Sequence, residues 1–131
     1  MGCVAMQEIY IGRIGMATEP GVFRVLVDRL WPRGVSKLGA PWDCWEKTLA
    51  PSTALRKWYA HQETHYEEFR QRYVKELEQQ QDSRAVNELI QRLARQSVIL
   101  LTASRVIETS QVPILREFLM SLLNPGGKKT S

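Results

Sequence analysis

The sequence predicts a small three-layer α/β domain, with a short, mainly parallel sheet flanked by about four helices. Three observations lead there. Two segments, Val22 to Leu30 and Ser97 to Ala103, are near-continuous apolar runs rich in β-branched residues, the pattern of strands covered on both faces. The residues between them carry apolar side chains at helical spacing. Two buried strands separated by helices imply a right-handed crossover, and hence parallel strands. The 131 residues match one domain by length, expected to run from 1 to 131 with mobile tails at 1–8 and 125–131.

Each element follows from local chemistry. Ile9 to Ile14 reads as a short strand, closed by the Thr18-Glu19-Pro20-Gly21 loop. Val22 to Leu30 is the first buried strand, and Trp31-Pro32-Arg33-Gly34 ends it, since proline cannot donate to a ladder. Trp42 to Leu49 adds a further turn. Pro51-Ser52 opens a helix bearing Leu55, Trp58 and Tyr59. Thr64-His65-Tyr66-Glu67 has the spacing of a capping box, followed by the stripe Tyr66, Phe69, Tyr73 and Leu77. Ser83 caps a third helix carrying Val86, Leu89, Ile90 and Leu93, on which Glu88 and Arg92 stand at pairing distance. The second buried strand then leads to a last helix, about Ser110 to Leu123, in which Pro113 fits the first turn. Asn124-Pro125-Gly126 stops it.

Composition narrows the classes of function. Charged residues are 24% and hydrophobic residues 44%, which fits a globular chain rather than a disordered or fibrous one. No apolar run approaches the ~20 residues of a membrane span, and no secretory leader or myristoylation signal is present. A cytoplasmic protein without membrane contact is expected. The net charge is +4, which suits an anionic partner, although the basic residues are scattered rather than clustered. Cys3 and Cys44 form no disulfide framework. Cys44, between Trp42 and Trp45, reads as a small buried hydrophobe. His61 and His65 are four apart, but Gln62 occupies the place of the glutamate in a zincin helix, so no metal and no cofactor are expected.

Ligands of open parallel sheets bind beyond the carboxyl ends of the strands. That rule selects Asp28 to Lys37 after the first buried strand and Thr102 to Ser110 after the second. If these strands are neighbours, one rim gathers Asp28, Arg29, Trp31, Arg33, Lys37, Ser104, Arg105, Glu108, Thr109 and Ser110. Arginine forks match phosphate or carboxylate, and the start of the last helix adds a partial positive charge near Thr109 and Ser110. Arg29 and Arg33 are the expected anion clamp. Asp28 has two readings: a carboxylate locked by Arg29 or Arg33, which is favoured, or an acid–base group, with Glu108 as the other. Trp31 beside Pro32 is a candidate for stacking a ring.

The run Phe23-Arg24-Val25-Leu26-Val27-Asp28-Arg29-Leu30-Trp31-Pro32-Arg33-Gly34-Val35-Ser36-Lys37 resembles the YeaO-like proteins of the domain of unknown function 488 family. The likeness continues through Trp45, Leu49 to Thr53, Leu55 to Tyr59, His61, Glu67 to Phe69, Arg72-Tyr73, Glu76-Leu77, Leu100 to Ala103 and Leu115 to Leu119. It implies a small α/β domain and no established activity. Relatives commonly carry an Asp-Glu-Glu-His-Asn type of segment before the final helix, where this chain has Val106-Ile107-Glu108-Thr109-Ser110. Only Glu108 matches. If that segment is catalytic in relatives, this chain lacks its histidine; it then binds without catalysing, or works through Asp28 and Glu108.

Two functional readings follow from the sequence, beside a third in which Arg29 and Arg33 only satisfy Asp28 and buried carbonyls and the rim is no site at all. One is a pocket for a small anionic ligand, such as a nucleotide or phosphorylated metabolite. The other is a nucleic-acid or protein interaction module, suggested by the basic balance and the tryptophans between Trp31 and Trp45.

Overall fold

The computed structural model describes residues 7–60 and 62–123. The expected tails, Cys3, His61 and the Asn124-Pro125-Gly126 stop lie wholly or largely outside these residues. Four strands, β1 (Ile9–Arg13), β2 (Phe23–Leu26), β3 (Cys44–Trp45) and β4 (Val98–Thr102), form one sheet in the order β1-β4-β2-β3. Every pairing is parallel. Four helices accompany them: α1 (Thr53–Tyr59), α2 (Tyr66–Gln79), α3 (Arg84–Leu93) and α4 (Val112–Leu123).

β4 is the central strand. It pairs Val98 with both Ile9 and Phe23, and Leu101 with both Gly12 and Leu26. All five of its residues are buried, because both neighbours and both faces are covered; this is why its sequence is apolar at every position. β2 is shorter than its apolar run. Val27 still donates to the Leu101 carbonyl at 3.0 Å, and beyond it the chain leaves the ladder.

Strand residues alternate between two cores. Val25, Val27, Val98 and Leu100 face the helices and pack with Leu55, Phe69, Tyr73, Leu89, Leu115 and Leu119. Leu26, Ile99 and Leu101 face the opposite side and pack with Trp42, Trp31, Trp45, Ile14 and Val22. The third layer is therefore not helical. It consists of the connections after β1 and β2, held by a tryptophan cluster in which Trp31 meets Trp42 and Trp45 edge-on at 4.9 and 5.3 Å. Gly34 and Gly39, both at φ +83°, permit the left-handed turns that fold this segment back over the sheet.

Helix starts confirm two expectations and correct two. Ser52 accepts the Leu55 amide at 3.1 Å and Ser83 accepts the Val86 amide at 3.3 Å, the expected caps. Thr64 does not cap. It lies inside a tight turn, Glu63–His65, and α2 begins after His65 with no side-chain cap. Glu88 pairs with Arg84 at 3.1 Å rather than with Arg92. Arg92 instead lies over the Phe23 ring, 3.9 Å from its centre, where an aromatic face competes for the guanidinium. The Trp42–Leu49 region supplies β3 and a tight turn, Lys47–Leu49.

Candidate functional site

β2 and β4 run side by side in the same direction, so their exits meet. Beyond them lies a cleft of about 1000 Å³. Of the rim residues expected from sequence, Asp28, Arg29, Trp31, Arg33, Ser104, Arg105, Thr109 and Ser110 line it. Lys37 and Glu108 do not; both are exposed, Glu108 between the lining residues Val106 and Thr109. Among the lining residues not foreseen are Arg56 and Lys57 of α1, Glu63 in the turn before α2, and Gln111 just before α4.

Asp28 is the clasp of the site. Its Oδ1 accepts the Thr102 hydroxyl at 2.7 Å and the Gln111 amide nitrogen at 2.8 Å, and its Oδ2 accepts the Ala103 backbone N–H at 2.8 Å. Its backbone carbonyl accepts the Trp45 indole N–H at 2.6 Å. One residue thus joins the ends of β2, β3 and β4 and the entry to α4. The expected lock by Arg29 or Arg33 is not formed; neutral donors at the exit of β4 and before α4 take the carboxylate instead.

Arg29 turns the other way. Its Nε donates to the Pro51 carbonyl at 2.9 Å and its Nη2 to the Ala50 carbonyl at 3.1 Å. The guanidinium fork therefore holds the residues preceding α1 and sets the position of that helix at the cleft. Of the expected Arg29–Arg33 clamp, Arg29 is thus held by the scaffold, while its charge stays in the wall. Trp31 is likewise engaged. Its indole N–H donates to the Val35 carbonyl at 2.6 Å, and its ring belongs to the tryptophan cluster.

Two tyrosines secure the far wall. The Tyr59 hydroxyl donates to the Thr109 carbonyl at 2.8 Å and the Tyr66 hydroxyl to the Ser110 carbonyl at 2.9 Å. Burial raises the pKa of both, that of Tyr66 to about 12, so both remain donors at neutral pH. The Ser110 hydroxyl donates to the Ile107 carbonyl at 2.7 Å. The helix α4 itself begins at Val112, two residues later than expected.

The remaining cations are uncommitted. Arg33, Arg56, Lys57 and Arg105 are exposed and line the cleft, and their side chains make no hydrogen bond or ion pair among the described residues. With Arg29 they set five positive groups in the wall against two carboxylates, Asp28 and Glu63. Low-dielectric walls focus such a field on anything that enters.

Other chemistry-bearing residues lie elsewhere. Cys44 is half-buried in β3, with burial and the nearby Glu46 carboxylate pushing its thiol up to about 12. His65 is exposed and stacks on Trp58 at 5.4 Å. Among the described residues no helix is long and apolar enough to cross a membrane.

Comparison with known proteins adds kinship. A family model described as the inactive DUF488-N3 subclade matches residues 8–130. The chain is 42% identical over 96 residues to Mb3100c of Mycobacterium bovis and to Rv3073c of Mycobacterium tuberculosis, covering 73% of this chain and 79% of each of those proteins. It is 35% identical over 107 residues to YeaO of Escherichia coli strain K12, covering 81% of this chain and 90% of that protein. All three bear the name "Uncharacterized protein". No solved structure matches the chain.

Proposed function

Because the chain belongs to the DUF488 family, within its inactive DUF488-N3 subclade, we propose that the cleft beyond β2 and β4 binds a small anionic ligand, a nucleotide or phosphorylated metabolite, and holds it without transforming it. The supporting observation is the imbalance of charge in the wall. Four cations whose side chains have no partner among the described residues surround a concave site, while one of the two carboxylates, that of Asp28, is occupied by three donors. Uncompensated guanidinium forks around a cleft favour phosphate or carboxylate.

The binding-only part rests on the state of the acid–base candidates. A general base needs a lone pair aimed at the substrate. Asp28 spends its oxygens on Thr102, Ala103 and Gln111, and Glu108 is outside the cleft lining. The Tyr59 hydroxyl is committed to a carbonyl. These groups hold shape rather than move protons.

The test is thermal melting of the chain against a panel of nucleotides and phosphorylated metabolites at low salt. A ligand of the native state must raise the melting temperature by mass action. At least one phosphate compound is expected to do so, and the double variant Arg33→Ala/Arg105→Ala is expected to lose the shift. A panel without any shift overturns the reading.

A further inference from the structure

Resting on that anion-binding reading, we propose that Gln111 determines which anion the cleft accepts, and that the preferred class is a nucleoside monophosphate whose base carries an exocyclic amine. Gln111 is only 8% exposed and lies in the cleft wall. Its Nε2 donates to the Val27 carbonyl at 2.9 Å and to Asp28 Oδ1 at 2.8 Å. A carbonyl can only accept, and that carboxylate oxygen already receives the Thr102 hydroxyl. Turning the amide over would set oxygen against oxygen twice, so its orientation is fixed.

The opposite end, Oε1, accepts no hydrogen bond from the described residues. No sealed side-chain oxygen among them lacks a partner, so Oε1 opens to the cleft. The result is an acceptor that cannot become a donor, held in a largely desolvated wall. Whatever occupies that end must offer an N–H or O–H, or the acceptor is left unsatisfied. The cations Arg33, Arg56, Lys57 and Arg105 call for negative charge on the same ligand. Leu30, which is exposed, and the half-buried Trp31 line the same cleft and give it apolar surface suited to a flat body. An amine-bearing base on a ribose phosphate has a donor, a flat body and an anion in one molecule.

Discrimination follows from the fixed acceptor. AMP and CMP present an amine where IMP and UMP, nearly the same in shape, present a carbonyl oxygen. At the position of the amine the carbonyl would set one acceptor against Oε1, and the nearest base proton, on N1 of IMP or N3 of UMP, is one ring position away, so the base would have to shift to meet it; a site built for one hydrogen-bonding group disfavours the analogue that lacks it there.

Calorimetric titration of the full chain at low salt with AMP, CMP, IMP, UMP and ribose 5-phosphate tests this. AMP and CMP are expected to bind at least about tenfold more tightly than IMP and UMP, the scale of one hydrogen bond lost against an unpaired buried acceptor. Equal affinity within each pair, or preference for the carbonyl forms, overturns the role of Gln111 and leaves the anion cleft standing. Binding of ribose 5-phosphate without binding of any of the four nucleotides overturns the ligand class. Binding of none of the five overturns this proposal and counts against the cleft reading beneath it. The natural chain is used throughout, so misfolding of a variant cannot imitate any of these results.

Discussion

Asp28 and Thr102 are 74 residues apart in the chain, yet the Asp28 carboxylate accepts the Thr102 hydroxyl at 2.7 Å. That contact fastens the exit of β2 to the exit of β4. The same carboxylate takes the Ala103 backbone N–H and the Gln111 side chain. The cleft therefore has its floor tied together by the residue for which the sequence favoured a structural role over an acid–base one, though with other partners than the expected arginines.

Replacing Asp28 with alanine should cost roughly 2–3 kcal/mol, because it strands a hydroxyl, an amide and a side-chain donor at a partly buried site. Asn is expected to recover part of this, since it keeps one acceptor oxygen. Urea unfolding of both variants gives the measurement. An alanine variant as stable as the natural chain would mean the clasp holds nothing.

The side chains of Arg33 and Arg105 have no partner among the described residues, so truncating either to alanine should change stability by no more than about 0.5 kcal/mol. The same changes should weaken phosphate-ligand binding and flatten its dependence on salt. Arg29→Ala should differ in kind. It frees the Ala50 and Pro51 carbonyls and should lower the melting temperature as well as the affinity. Comparing unfolding with titration for the three variants separates scaffold from ligand contacts.

Tyr66→Phe removes the hydroxyl that donates to the Ser110 carbonyl and leaves the ring in place. A loss of about 1 kcal/mol is expected, with faster hydrogen exchange concentrated in residues 107–112. Uniform exchange across the chain would show that this hydroxyl does not anchor the wall.

Cys44 ties stability to alkaline pH. Its thiol in the fold is raised from an ordinary value of 9.0 to about 12, so the folded state holds its proton more tightly than the unfolded state. The contribution is intact below about pH 9 and declines as pH rises toward 12. In a Cys3→Ser background, alkylation at pH 8 should be much slower than for a free thiol, and Cys44→Ala should remove part of the alkaline loss of stability. Rapid labelling of the folded chain at pH 8 would contradict the burial of this thiol.

Much of the site was legible because strand-end geometry is general. The apolar runs at Val22–Leu30 and Ser97–Ala103 identified two buried parallel strands, while their adjacency stayed a condition of the argument that only the sheet order β1-β4-β2-β3 met. Eight of the ten proposed rim residues reach one cleft. The partners of those residues were not legible. Nothing local distinguishes an Asp28 that pairs with Arg29 from one that pairs with Thr102, since both lie at plausible positions on the rim. Arg56 and Lys57 read only as the solvated face of α1. Thr64 matched a capping pattern, but the turn at Glu63–His65 consumed the residue before the helix could use it.

The order of apolar and polar residues was sufficient by itself to determine the α/β class, the burial of β4 and the positive character of its exit, because hydrophobic period and strand direction depend on nearest neighbours along the chain. Only the tertiary structure decided where each polar group found its partner. It sent Arg29 to the carbonyls before α1, brought α1 with Arg56 and Lys57 to the cleft, and laid the tryptophan segment over the second face of the sheet. Those outcomes depend on hydrogen bonds between residues tens of positions apart, whose competition is settled by three-dimensional distance and desolvation, quantities that no local pattern carries.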